Sequence, residues 1–570
     1  MALLQLLRCK FSDPHCTGVL RCISLLVLFS WLPIFASDRV ANPPAVGPIY
    51  VPLDSWIYPA LKRLAAMGYV PDEETLVMPW TRQQCLLFVQ EAEDIASRHE
   101  TKMSAAATNK AAQSLIADLR REFPDDVNAA DQLRLESVYS RFSQVSGSPL
   151  RDSYHFGQTF VNDYGRPYDN GTNTVDGFSG YGTWGRFSGY LRGEYQEAGG
   201  RPSYGLGVRN LLGQLDGVPP PDPKQIDSTS RFDLLEMYLG VKLGIFDVTF
   251  GKQSLWWGPG DASAFHFSNN AEPMYSLRIA QQTPIVLPGI FHYLGHIRTQ
   301  LTLGKLAGHQ YPPRPLMNAE KITFQLTPNL ELGFTRSAIF GGLGHPLTTG
   351  SFLQSFVSVS STGATTLGAR NDPGDRRSGF DFLWRVPGLR RFVTIYSDSL
   401  ADDEPNPLDS PRRSAWAPGI YIAQLPHLRS MDFHFETYST WLYRGDAGGR
   451  FLYWNDQYRD AYTNDGYLLG SWVGRDARAY VASSSYWWSA KDRVMAQFRQ
   501  TKTGSNFLPG GGTQTDVSLN AQWELRPNLI ASTFLQYERY FVPSLNAAPQ
   551  RDLSAGLEVT FYPGKWSIKR

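Results

Sequence analysis

The sequence predicts a mainly β protein: a transmembrane antiparallel β-barrel of about eighteen strands, with a small α-helical region on its N-terminal side. Three observations predict it. First, from about residue 153 hydrophobicity alternates with period two. In TDVSLNAQWEL (515–525), Val517, Leu519, Ala521, Trp523 and Leu525 share one face, and Asp516, Ser518, Asn520, Gln522 and Glu524 share the other. DLSAGLEVTF (552–561) repeats the pattern, and RFSGYLRGEYQ (186–196) puts Arg186, Ser188, Arg192, Glu194 and Gln196 on one face. Second, connections alternate between tight and long. Tight ones fall at Gly244–Asp247, Thr327–Asn329, Pro387–Leu389, Pro426–His427, Ser489–Lys491 and Arg526–Asn528, and long polar ones at 340–377, 398–417, 440–475 and 501–513. A soluble sandwich or propeller has no reason to sort its loops this way; a barrel with short turns at one end does. Third, aromatic residues make up 13% of the chain and glycine contributes 51 residues. The mean hydropathy is only −0.30, as alternating strands require.

The elements follow in order. Arg8, Lys10 and Arg21 precede the apolar run CISLLVLFSWLPIFA (22–36), which reads as a cleaved signal peptide (1–36) with the mature chain beginning near Ser37. A single membrane anchor is the alternative, but the run is short and contains Pro33. Cys9, Cys16 and Cys22 fall in this leader, leaving Cys85 as a lone buried thiol. Residues 37–150 form a periplasmic helical region. Its first helix is capped by Asp54 or Ser55, presents Ile57, Leu61 and Leu64, and ends at Gly68. A second starts at Thr81, a third covers 111–123, and a short fourth covers Leu133–Arg141. The barrel occupies 151–570, with strands counted from Phe156 to Phe561.

The formal net charge of +1 excludes a nucleic-acid-binding face. No G-x-S-x-G, H-E-x-x-H, phosphate-binding loop or zinc-type spacing occurs, so no catalytic residue, cofactor or metal is assigned. His266 with Ser268 and Asp261 is the one constellation that raises a hydrolase, and Asp402-Asp403-Glu404 the one acidic run that raises calcium; a lumen-facing histidine and a solvated turn are the plainer readings. The stronger signal is sugar-like. Aromatic rings interleaved with Asn, Asp and Arg suit sugar C–H faces and hydroxyls. That composition selects Asp163 and Arg166 in 153–172, and Tyr453, Trp454, Tyr458 and Arg459 in 453–476. In GKQSLWWGPGDASAFHFSNNAEP (251–273) it selects Trp256, Trp257, Asn269 and Asn270. The strand Val248–Leu255 carries the tryptophan pair to the long-loop end, where Pro259 stops it. Alternation there points one tryptophan to lipid or a neighbouring loop and the other to the lumen, and the loop closes the barrel mouth.

The stretches YVPLDSWIYPALKRLAAMGYV, HFGQTFVNDYGRP, GKQSLWWGPG…FSNNAEP and YWNDQYRDAYTNDGYLLGSWVGRD occur in that order and resemble the capsule assembly protein family Wzi over about residues 48–562. The resemblance implies an eighteen-stranded outer-membrane barrel with a periplasmic helical bundle. It implies a lectin-like role, in which capsular or exopolysaccharide is bound and attached to the cell surface. The partners are then that polysaccharide and outer-membrane lipid, with periplasmic export machinery as a further partner for the helices and no nucleic acid. A porin or sugar channel, which needs an open lumen, and an outer-membrane hydrolase are the competing functions.

Overall fold

In a computed structural model the described residues are 46–563, except 72–75, 101–105, 125–130, 359–371, 405, 407, 409–410, 412 and 443–448; the expected signal peptide lies outside them. Eighteen antiparallel strands form one closed barrel. Asp131–Ser146 closes it, pairing on one side with Gly171–Trp184 and on the other with the last strand, Gln550–Phe561. Closure leaves no unpaired edge, which is the condition for a sheet to sit in hydrocarbon. The predicted faces are kept. Val517, Leu519, Leu525, Leu553 and Leu557 are exposed on the outer surface, while Asp516, Asp552, Ser554, Arg192 and Glu194 are buried in the lumen.

The fourth helix expected at Leu133–Arg141 is instead part of the first barrel strand, so the barrel begins at Asp131 rather than after 150. A register shift between Leu135 and Ser137 explains the misreading. Leu133 and Leu135 face outward before it, and Val138 and Phe142 after it. The bulge therefore spaces Leu135, Val138 and Phe142 three and four residues apart, which imitates a helix. Phe156, taken as the start of the first strand, lies in the loop that follows.

All six expected tight connections lie at one end of the barrel. Residues 282–295, also at that end, make a longer excursion through a 3-10 turn, Gly289–Leu294, with Ile290, Phe291 and Tyr293 exposed. Three helices, α1 (Ile57–Ala66), α2 (Arg82–Glu100) and α3 (Ala106–Glu122), sit against the same end. Neither Asp54 nor Ser55 is the cap of α1: the N-cap position is Trp56, with no side-chain cap hydrogen bond, and Ser55 Oγ only accepts from the Ile57 amide at 3.3 Å; Gly68 follows the helix at φ +83°. Thr81 caps α2 reciprocally, accepting from the Gln84 amide at 3.1 Å while its own amide donates to Gln84 Oε1 at 2.8 Å. Leu61, Leu64, Val89 and Leu119 form the bundle core with Cys85, and this core continues onto Leu383, Tyr421, Trp487 and Ile530 of the barrel wall. Arg63 locks the seat, donating to the carbonyls of Ala423 (3.3 Å) and Arg429 (3.0 Å). Two further helices belong to the long-loop end: α4 (Leu206–Asp216) and α5 (Thr349–Val357).

Candidate functional site

The barrel strand carrying the tryptophan motif, Phe246–Lys252, ends earlier than expected. From there the chain turns inward. Trp256 and Trp257 pair with Met78 and Val77 of the helical region, in antiparallel register. Alternation holds at the two tryptophans, but neither faces lipid. Trp256 packs into the core shared with the helices, and Trp257 into a second core made by the loops. Gly258, at φ +147°, is required by the reversal: a Cβ there would meet the Asp398 carboxylate at 2.9 Å.

Lumen-facing carboxylates hold the turned-in loop. Glu436 accepts from the amides of Asp261 (2.7 Å) and Ala262 (2.9 Å), and Asp398 accepts from the amide of Phe265 (2.7 Å). The 449–476 segment interlocks with it. Tyr453 Oη donates to the Phe265 carbonyl (2.8 Å), Ser268 Oγ to that of Gly470 (2.7 Å), and Asn270 Nδ2 to that of Leu468 (3.2 Å). Asn269 contributes its carbonyl to the Tyr164 amide (2.7 Å). Trp256, Trp257, Asn269, Asn270, Tyr453 and Tyr458 are thus all buried, and the first five serve to fix a plug across the lumen. The expected closing of the mouth by this loop is what the structure shows, and its consequence is that the six residues are covered.

Asp163 and Arg166 lie deeper, in a chain of paired charges of which Arg166, Arg192 and Glu194 are buried. Arg141 binds both oxygens of Asp163, each at 2.9 Å. Arg166 reaches Asp163 (2.6 Å) and both oxygens of Glu194 (2.8 and 2.5 Å). Arg192 binds Asp54, just ahead of α1, at 3.1 and 2.7 Å. Burial opposes ionisation of Asp163, but Arg141 and Arg166 outweigh it and hold the carboxyl below its usual range. Arg192 and Glu194 share the polar strand face that alternation predicts, but their partners Asp54 and Arg166 lie far from them in sequence.

At the outer mouth four loops converge on Trp454, Tyr458 and Arg459. Trp454 Nε1 donates to the Asp216 carbonyl (3.1 Å) at the end of α4, and Arg459 Nη1 to that of Gly217 (2.5 Å). The Arg459 amide donates to Tyr311 (2.8 Å), and the Tyr458 ring meets His345 at 5.3 Å. Trp454 and Arg459 remain half-exposed. Beside them are two residues the sequence reading missed: Phe451, 5.2 Å from the Trp454 ring, and exposed Arg450, whose guanidinium lies 4.4 Å over Phe451. Their position immediately ahead of the 453–476 segment was the available signal.

His155 ties three loops together. Its ring nitrogens bond Asp152 (2.7 Å) and Asp216 (2.9 Å), and Arg475 also binds Asp216 (2.9 Å). Burial pulls its pKa down, but the two carboxylates prevail and raise it to about 9. Since the unfolded value is about 6.5, the ion-pair contribution is complete below pH ~6.5 and is lost as pH rises through about 9. Tryptic cleavage within 199–228 is therefore expected to accelerate between pH 8 and 10 beyond the protease's own profile, and His155→Gln is expected to abolish that pH step; a step retained in the variant refutes the lock.

The hydrolase constellation does not assemble. Asp261 pairs with Lys62 at 3.5 Å, and Ser268 Oγ bonds a carbonyl. His266 is buried with neither ring nitrogen hydrogen-bonded among the described residues; burial, with Lys321 and Arg377 nearby, pushes its pKa well down and keeps it neutral. In the acidic run, Asp402 and Asp403 meet Asp375, but Arg377 pairs with Asp375 (2.7 Å) and Asp402 (3.0 Å) and supplies the neutralising charge itself.

Comparison with known proteins agrees with this architecture. A solved structure described as Wzi, an outer-membrane protein involved in group 1 capsule assembly in Escherichia coli and a carbohydrate-binding β-barrel, superposes with a TM-score of 0.65 at 17% identity, covering 90% of this chain and 99% of that one. An uncharacterized 55.8 kDa protein in the cps region of Klebsiella pneumoniae is 28% identical over 204 residues, which is 35% of this chain and 38% of that relative's length. The family model described as capsule assembly protein Wzi matches residues 141–555. The chain belongs to the Wzi family of capsule assembly proteins.

Proposed function

We propose that this protein is an outer-membrane lectin that holds capsular or exopolysaccharide at the cell surface. One observation carries the reading: the loops that plug the lumen also display, at the outer mouth, Phe451 and Trp454 side by side with Arg450 and Arg459. Rings offer faces to sugar C–H groups, and guanidiniums bind hydroxyls or uronate carboxylates in pairs. Each contact is weak, and a repeating polymer compensates by engaging many copies of the protein at once. On this reading the exposed outer rows of Leu, Val and Phe face lipid, and α1–α3 lie in the periplasm, within reach of export machinery. The plug speaks against a porin, and the scattered His266, Ser268 and Asp261 speak against a hydrolase.

Purified barrel is expected to bind immobilised capsular polysaccharide. Phe451→Ala, Trp454→Ala and Arg459→Ala are each expected to weaken binding about tenfold, equivalent to ~1.4 kcal/mol, without shifting thermal unfolding by more than a few degrees. A deletion strain that retains its surface polysaccharide, together with no glycan binding by the purified barrel, sinks the proposal.

A further inference from the structure

Five consecutive strands, Ala477–Trp487, Arg493–Thr503, Gly512–Arg526, Leu529–Phe541 and Gln550–Phe561, form one continuous stretch of the barrel wall. On four of them the outward row carries a cation close to the long-loop end: Arg478, Lys502, Arg539 and Arg551, all exposed. Arg478, Lys502 and Arg551 take the outward position nearest the loop, and Arg539 the one before it.

Register sets the four in two pairs. Arg478 lies directly opposite Lys502, and Arg539 directly opposite Arg551. On the strand between the pairs, Thr513 stands opposite Lys502 and Thr515 opposite Arg539. Like charges directly opposite one another across a ladder repel. The protein does not relieve that repulsion. None of the four cations makes an ion pair among the described residues, and no outward position of the five strands is acidic. The loops above, 504–511 and 542–549, carry no charged residue. Arg478 lies 4.5 Å over the Trp441 ring; Asp476, near it in sequence, is buried and accepts from the Gly449 amide at 3.0 Å. Acidic residues do occur on the outer face elsewhere, at Asp176 and Glu197, so the row is a local feature of this wall.

The surroundings identify the ligand. Next along the outward rows toward the midplane are exposed Tyr480, Tyr537 and Leu553. Aromatic rings on the outer face of a membrane barrel mark the headgroup level. The cations therefore stand among lipid headgroups, where basic clusters attract anionic lipid. A guanidinium binds phosphate through two parallel hydrogen bonds, and an ammonium adds a point charge. The centres of the two pairs are three strand spacings apart, or ~14 Å at about 4.8 Å each. One phosphate cannot bridge that gap; a headgroup with a phosphate at each end engages both pairs.

We infer that this row binds a lipid of the outer leaflet whose headgroup carries two phosphates, one held by Arg478 and Lys502 and the other by Arg539 and Arg551. The site lies on the outer wall and does not depend on the glycan contacts proposed at the mouth. Native mass spectrometry of the whole barrel in an uncharged detergent tests it, with bisphosphorylated lipid A, monophosphorylated lipid A and phosphatidylethanolamine as probes. The bisphosphorylated form is expected to bind about tenfold more tightly than the monophosphorylated form, and phosphatidylethanolamine more weakly than either. The double variants Arg478→Gln with Lys502→Gln, and Arg539→Gln with Arg551→Gln, are each expected to weaken bisphosphorylated lipid A binding about tenfold and to erase that preference. In lipid-free detergent both are expected to unfold at or above the wild-type temperature, because each loses a like-charged pair, so weakened binding reports the site and not the fold. Both are expected to keep binding capsular polysaccharide. Equal affinity for the two forms of lipid A, or unchanged lipid A binding in both double variants, overturns the inference. Loss of polysaccharide binding in these variants with lipid A binding intact also overturns it, and assigns the row to the glycan.

Discussion

Arg166→Ala is expected to destabilise the folded barrel by about 3–5 kcal/mol, the cost of stranding a buried charge. The charge left behind is Glu194, which is fully buried and accepts from Arg166 through both oxygens. Tyr139 Oη (2.5 Å) and Gln196 Nε2 (2.9 Å) still donate to Glu194 but do not neutralise it, and the remaining cation, Arg192 at 3.6 Å, is already paired with Asp54. Arg166→Lys keeps the charge and loses the fork, so it recovers only part of the stability. The double change Arg166→Met with Glu194→Gln removes both charges and is expected to cost clearly less than Arg166→Ala alone. Urea unfolding followed by tryptophan fluorescence reads all three. Because Arg166 also holds Asp163, and Asp163 holds Arg141, the same variant is expected to loosen the loop beneath the plug and raise conductance in planar bilayers. A loss below about 1 kcal/mol with no change in conductance refutes the arrangement.

Trp257→Ala is expected to cost about 3–5 kcal/mol, as truncation of a fully buried large side chain does. Trp257 is completely covered, pairs with Val77 of the helical region, and meets the Phe267 ring at 4.9 Å. It therefore joins the helices at one end of the barrel to the loop plug from the other. Its Nε1 has no hydrogen-bond partner among the described residues, so Trp257→Phe keeps a ring and removes an unmatched donor. That variant is expected to lose less than about 1.5 kcal/mol. Equal losses for Phe and Ala show that the indole is not packed as described.

The barrel was legible because its signals are local. Asp516, Ser518 and Asn520 alternate with Val517 and Leu519 within one strand, and the turn at Arg526–Asn528 follows directly. The strand Asp131–Ser146 was read as a helix because its bulge falls in the middle of its apolar row. The helix start at Thr81 was equally readable, and the partner that completes its cap, Gln84, lies three residues on.

The site was legible in composition but not in exposure. Segments 153–172, 251–273 and 453–476 do converge, as their shared chemistry implied, yet only Trp454 and Arg459 of the ten chosen residues lie at the outer mouth and remain half-exposed. Whether a tyrosine such as Tyr453 meets a glycan or the Phe265 carbonyl depends on a contact spanning 188 residues. No neighbouring residue encodes such a contact.

By itself, then, the order of residues determined, in strands without a bulge, which side faces outward and which faces the lumen, because a side chain's face there depends only on parity. It also determined at which end the chain turns tightly, because turn chemistry is confined to a few consecutive residues. Only the tertiary structure decided that the WWGPG loop folds inward onto Val77 and Met78, and that Arg166 finds Glu194. It also decided that the lumen is crossed by a plug yet keeps a cavity beneath it. Those outcomes follow from burying aromatic surface and matching charges between segments far apart in sequence, and such terms take their values only after the barrel has closed around them.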